Sequence, residues 1–294
     1  MANNISSEIT ISTAVSVLQN MLAPLNELTL DISNDVVGRA ATVKVPVVNT
    51  DDGARDYAVG TGYTENSDSD VTTVSVSVEE RIKPFHLNDN HLNKSPLSLQ
   101  NYASQNANEF GRYLIKLLYT SVDSAITAGD IPAVNVATVD NTAVAIGNIQ
   151  GLHGTLDDNG ANMNRHLLLG AQASNNLLPN SIETFGNSVL ESGRFNQLFG
   201  MKTSVTNAHG TLATGDPHSI ACSSDAIVVV NRMPDTSGSA TLEEFTPFTI
   251  DGLGLQCAYR RFYDASKGIH YGAFTTMYGV AVAKGTQVAV LAQN

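Results

Sequence analysis

Residues 95–129, SPLSLQNYASQNANEFGRYLIKLLYTSVDSAITAG, decide the fold. Ser95 followed by Pro96 is a helix start, with serine as N-cap and proline at the first helical position. The apolar positions Leu99, Tyr102, Ala103, Ala107, Phe110, Leu114, Leu117, Leu118, Ser121 and Ala125 then step by three or four, which is one face of a helix. Gly129 supplies the stop. The pattern predicts a helix over 96–128, on the order of 50 Å long at 1.5 Å per residue. That is more than twice the usual length in a compact domain. Such an element acts as a spine with other parts laid along it.

Upstream of the spine the chain is acidic and extended. Residues 1–80 hold 12 Asp and Glu against three basic residues, Arg39, Lys44 and Arg55, out of a net charge of −12 for all 294 residues. Ala14–Leu22 reads as a short helix, with Pro24 ending it. Ala41–Val48 alternates around an edge-type proline, Pro46. Val71–Val78 alternates more strongly. Between these two strands, residues 53–70 are small, polar and acidic, and read as a flexible tip. The result is a long two-stranded loop. An isolated hairpin is marginal in water, so this one needs a partner surface.

Downstream, residues 143–156 read as a helix and Asn164–Gly170 as a buried strand. Ala171–Leu178 and Ile182–Leu190 read as two short helices. Gly200–Asn207 and Ser224–Asn231 read as strands. The tail carries strands near 245–250, 255–263 and 271–282, and a last apolar strand over 287–291. There is no internal repeat.

The residues argue against most chemistry. No apolar run approaches the ~20 residues of a membrane helix. The N-terminus has no secretory pattern, which leads us to expect a protein made and used in the cytoplasm or released by lysis. An acidic chain is badly suited to gripping phosphates. Cys222 and Cys257 have no metal spacing and read as buried reduced thiols. The histidines (His86, His91, His153, His166, His209, His218, His270) match no ligand spacing such as HExxH. Gly60-Thr-Gly62 lacks the rest of a dinucleotide fingerprint. Asp157-Asp158-Asn-Gly lacks the calcium-loop pattern and reads as a turn. No nucleophile motif occurs. We therefore expect no enzyme activity, cofactor or metal.

The order of parts resembles the major capsid protein of tailed double-stranded DNA bacteriophages, the Hong Kong 97-type family. Four stretches carry the resemblance. They are the pair Val36–Pro46 with Val71–Val78 as the extended loop, and the spine over 95–130. The third is the run 143–209, with Asn164-Arg-His-Leu-Leu-Leu-Gly, Gly193-Arg-Phe-Asn and Leu198-Phe-Gly-Met-Lys-Thr-Ser-Val-Thr-Asn. The fourth is the closing strands, with Asp225-Ala-Ile and Tyr259-Arg-Arg-Phe-Tyr-Asp before Tyr271-Gly. The chain departs from the family in having no long N-terminal segment of the kind that serves as a fused scaffold. Lys44 and many asparagines are present, but no Lys–Asn cross-link pair is singled out.

The resemblance implies an α+β fold in these parts: an N-terminal arm over 1–35, an extended hairpin loop over 36–82, a peripheral domain from 83–140 and 236–294, and an axial domain over 141–235. It implies a structural protein that assembles as hexamers and pentamers into an icosahedral shell around double-stranded DNA. Assembly would take place in the host cytoplasm, with scaffolding, portal and cement proteins as further partners, and the product would be a virion. The extended loop would lie over a neighbour's spine. By charge and position, the expected intersubunit residues are Arg39, Lys44 and Arg55 in the loop, Glu79, Glu80 and Arg81 at its base, and Glu109 and Arg112 on the spine. Arg260 and Arg261 are further charged positions. The rival readings are an encapsulin-like compartment subunit, a secreted β-rich surface protein, and a hydrolase with a dispersed site.

Overall fold

The computed structural model describes residues 7–33, 41–49, 70–88, 99–185, 195–234, 244–250 and 253–294. The spine is there as helix α2, Leu99–Ala128, preceded in the chain by helix α1, Ser7–Leu28. At 30 residues, α2 is about 45 Å long. Its buried stripe is Ala103, Ala107, Phe110, Leu114, Leu118, Val122 and Ala125, at the spacing of the sequence pattern. It ends as the glycine demands. Gly129 has φ +81°, its N–H donates to Ile126 O at 3.1 Å, and Asp130 N–H donates to Ala125 O at 2.9 Å. This is a Schellman stop, which only a residue at ease with positive φ makes cheaply. The proposed N-cap pair, Ser95 and Pro96, lies outside the described residues.

Helix α1 corrects the expectation that Pro24 ends it: the helix runs on to Leu28 with Pro24 inside. A proline in a helix interior removes one hydrogen bond and crowds the preceding turn. Here the leucines on both sides of it, Leu18, Leu22, Leu25 and Leu28, are all at most 5% exposed. That packing against the common core outweighs the local cost, as tertiary burial usually outweighs propensity.

The described residues also form fourteen strands, interleaved with the helices along the chain. The first sheet contains β1 (Leu30–Asp31), β4 (Glu79–Asn88), β10 (Ile227–Arg232), β11 (Glu244–Ile250), β12 (Leu255–Asp264) and β13 (Ile269–Val282). The long β13 is its axis and pairs with β4, β10 and β12, all antiparallel. The second sheet runs β5 (Val136–Thr138), β14 (Val288–Ala292), β9 (Pro217–Ser223), β6 (Arg165–Gly170), β8 (Met201–Thr206) and β7 (Gln197–Leu198). Helices α3 (Ile146–Asp158) and α4 (Ala171–Phe185) belong with it. Helix α4 is continuous through Pro179 where the sequence suggests two short helices; residues 186–190 lie outside the described set. Both sheets recruit strands from either side of residues 141 and 235, because β10 joins the first sheet and β14 the second.

The burial pattern explains why the second sheet reads as apolar runs and not as alternation. Leu168, Ile220, Cys222, Val288 and Val290 face the large core shared with α1 and α2. Their neighbours Leu167, Leu169, Ala221, Ala289 and Leu291 face a second core under α3 and α4. Strands covered on both faces need apolar residues at every position. The first sheet presents Ile227, Val229, Tyr259, Phe274 and Tyr278 to the shared core. Its other face, at Val228 and Val230, is covered by the hairpin described next.

Candidate functional site

The expected loop forms a two-stranded sheet, β2 (Thr42–Asn49) against β3 (Asp70–Ser77), in register from Thr42↔Ser77 to Asn49↔Asp70. Its tip, residues 50–69, lies outside the described residues, as do Arg39 and Arg55. The root is held by its own chain. Val45, Val76 and Val78 pack on Val228 and Val230, and Val78 N–H donates to Ala41 O at 2.8 Å. Gly279 on β13 makes this possible. A Cβ there would fall far inside contact with the carbonyl oxygen of Ser77.

Below the root, β4 connects the hairpin to the spine. Arg81 and Lys83 are two apart on a strand and so share a face. Glu109 and Tyr113 are four apart on α2 and so share a face too. The two sets meet: Lys83 pairs with Glu109, and Arg81 Nη1 donates to Tyr113 Oη at 3.5 Å while pairing with Glu79 at 2.9 Å. On the opposite face of β4, Glu80 pairs with Arg260 at 2.7 Å and accepts from Thr275 Oγ1 at 3.0 Å. Arg261 lies 3.4 Å from Glu244. Each exposed pair contributes about 0–1 kcal/mol; together they orient the loop on the spine.

Five of the residues expected at subunit contacts are therefore engaged within the chain: Glu79, Glu80, Arg81, Glu109 and Arg112. The last donates from Nε to Asn207 Oδ1 at 3.2 Å. Lys44 is exposed on β2. Lys83, the partner of Glu109, was not singled out by charge and position, and nothing local in the sequence marks it. Its partner is 26 residues away in the chain, across a strand-to-helix packing.

The remaining polar candidates are structural. Both cysteines are free and buried, and burial pushes their thiols up to about 12, which leaves them unreactive. Asp157 is taken by Arg165, whose hydrogen bond holds its carboxyl below the usual range. Among the described residues no three His, Cys, Asp or Glu side chains are grouped to hold a metal. No helix among the described residues is long and apolar enough to cross a membrane.

His218 and His166 are buried, and burial lowers both pKa values. His218 is held between Val139 O, 2.9 Å from Nε2, and Ser219 Oγ, 3.0 Å from Nδ1. A carbonyl only accepts, so Nε2 carries the proton and Nδ1 accepts from the serine. The folded state thus holds neutral imidazoles, while the unfolded chain takes up protons near pH 6.5. Stability is complete above that pH and falls as pH drops below it. Denaturant midpoints are expected to be flat from pH 8 to 7 and to decline from about 6.5 to 5. His218→Gln should flatten that decline; an unchanged slope in the variant would refute the assignment.

No family model matches the sequence, and no curated protein matches it. Solved structures do match, over nearly the whole chain. A chain of Mycobacterium phage Che8 has TM-score 0.60 and 16% identity, covering 90% of this chain and 89% of that one. The capsid structure of the cyanophage P-SCSP1u gives 0.61 and 13%, covering 92% and 88%. A virus-like particle from Pyrococcus furiosus gives 0.55 and 12%, covering 97% and 98%. The chain has the α+β Hong Kong 97-type capsid fold, with a long spine helix and an extended hairpin.

Proposed function

We propose that this chain is the major capsid subunit of an icosahedral tailed phage, a structural protein that encloses double-stranded DNA and performs no catalysis. The observation that carries the reading is the match to phage capsid structures over about nine-tenths of both chains. The hairpin supports it. Its root packs on the chain's own sheet, and among the described residues its two strands pair only with each other, which leaves backbone edges for a neighbour to cover. The subunit is read as a peripheral domain (83–140, 236–294) and an axial domain (141–235), with β10 crossing into the first sheet and β5 and β14 into the second, and with the N-terminal helix laid on the spine.

Hexamers and pentamers built this way need only weak single contacts, because each subunit makes many. An acidic wall lets packaged DNA slide instead of adhering. Scaffolding, portal and cement proteins are the expected partners, and the virion is the expected location. Negative-stain electron microscopy of the purified chain, alone and co-expressed with its neighbouring viral genes, tests this. Hollow shells or five- and six-membered rings are the expected result. Shells loaded with an enzyme cargo would point to a compartment protein, and a monomer under every condition would defeat the proposal.

A further inference from the structure

Tyr278 on β13 faces the shared core and is 0% exposed, yet its Oη has no hydrogen-bond partner among the described residues. Buried tyrosines usually find one, because a stranded hydroxyl bears the full cost of leaving water. Phenylalanine would fill the same space without that cost, so the hydroxyl calls for a ligand. Beside the tyrosine is a cavity of about 30 Å³, bounded by the end of α1, by β1 and by the first sheet. Its walls include the core leucines Leu22, Leu25 and Leu255, and its polar groups include Thr29, Asp31 and Asn231. These three have acceptor capacity to spare. Thr29 donates its own hydroxyl to Leu25 O at 2.6 Å, which leaves the Oγ1 lone pairs. Asn231 Oδ1 accepts from the Gln256 N–H, and a carbonyl oxygen has a second lone pair. Asp31 Oδ1 accepts from the Ser33 N–H at 2.8 Å and from its hydroxyl, while a carboxylate has about four lone-pair sites. Asp31 is exposed, at the rim. Burial pushes the Tyr278 hydroxyl well above its ordinary pKa, and the nearby Asp31 charge pushes the same way.

One donor and several acceptors around a small space select the occupant. An anion would face Asp31. A cation would leave the Tyr278 proton without an acceptor, and an apolar molecule would strand the hydroxyl. The fitting ligand is neutral and both accepts and donates. A water needs about 10–15 Å³ of such space and two to four polar partners, so this cavity takes one or two. We infer that it is the seat of an ordered water that accepts from Tyr278 Oη and donates to Asp31, fastening the N-terminal helix and its strand to the axis of the first sheet. Strand β1 needs such a tie. It is two residues long, and among the described residues it pairs with β10 alone. A bridging water is nearly as good as a direct hydrogen bond, and it supplies the direction that the leucines of α1 do not. The inference does not depend on the shell reading.

The test uses the full-length protein, Tyr278→Phe, Asp31→Ala and the double variant, compared by denaturant unfolding. Tyr278→Phe is expected to raise the unfolding equilibrium constant roughly fivefold, the scale of one lost hydrogen bond. A phenylalanine variant as stable as the wild type, or more so, would overturn the inference, because removing a stranded hydroxyl is neutral or favourable. Asp31→Ala also disturbs Ser33, and the double-variant cycle cancels that contribution. The double variant is expected to lose less than the product of the two single losses, since both break one bridge. A simple product would show that Tyr278 and Asp31 share no ligand, and would overturn the bridge. A density map of the wild type that resolves ordered water supplies the direct observation. A peak within about 3.2 Å of Tyr278 Oη is expected. Absence of a peak, or density for a larger molecule, would overturn the assignment to water.

Discussion

Arg165→Ala is expected to cost about 3 kcal/mol of stability, the scale for losing one partner of a buried ionic group. Arg165 is 5% exposed at the start of β6. Its guanidinium donates from Nε to Asn162 O at 2.9 Å and from Nη2 to Ala161 O at 2.7 Å, and Nη1 pairs with Asp157. Three acceptors at the end of α3 are thereby satisfied by one side chain. Truncation leaves the buried Ala161 carbonyl without its partner and removes the charged donor from the part-buried Asn162 carbonyl, and hydrogen bonds to charged groups contribute about 1.5–3 kcal/mol each. Asp157 is half exposed, so its carboxylate finds water and adds little. Asp157→Asn is therefore expected to cost much less than Arg165→Ala. Denaturant unfolding of both variants checks this, and equal losses would show that the ion pair, and not the carbonyl contacts, is what matters.

Gly279→Ala is expected to be nearly as damaging to stability and worse for assembly. The new Cβ would meet the backbone of Ser77, which no rotamer change can move aside. Overpacking of this kind costs about 1–3 kcal/mol. The relief available to the chain is to lift the hairpin root off β13, losing the contacts of Val76 and Val78 on the sheet. The subunit would remain folded around its two large cores while the loop loses its fixed direction. The measurements are a denaturation midpoint and a micrograph: a modest fall in the first with absence of shells in the second. A variant that forms normal shells would show that the hairpin's direction is set elsewhere.

Much of this architecture could be read from residue order. The spine, both hairpin strands and the tail strands are strongly periodic, and each forms where its pattern predicts. The failures have physical causes. Pro24 sits inside a helix because tertiary burial overrode a local penalty, and the backbone of α4 also runs on through Pro179. Strand β9, Pro217–Ser223, was not expected, since a strand buried on both faces shows no alternation and this one is rich in Ser, His and Cys. Strand β4 was read only as the base of the loop, because Glu-Glu-Arg-Ile-Lys-Pro has the composition of a solvated turn; its charges are matched by residues far along the chain, such as Arg260. Charge and position could nominate Glu80 and Arg81 as contact residues, but sequence could not show that their partners lie in the same chain.

The placement of β14 bears on when the subunit comes into being. Val288–Ala292 is wholly buried in the second sheet, between β5 and β9, and its pairing with Val136–Thr138 joins residues some 150 positions apart. Long sequence separation between partners slows folding, since loop closure is paid before the contact rewards it. Translation delivers about 5–20 residues per second, N-terminal parts first. For most of that time the second sheet lacks the strand that lies between β5 and β9. In the shell subunit proposed above, a polypeptide short of Ala292 lacks its completed second sheet, so folded subunits reach assembly only after that strand is made.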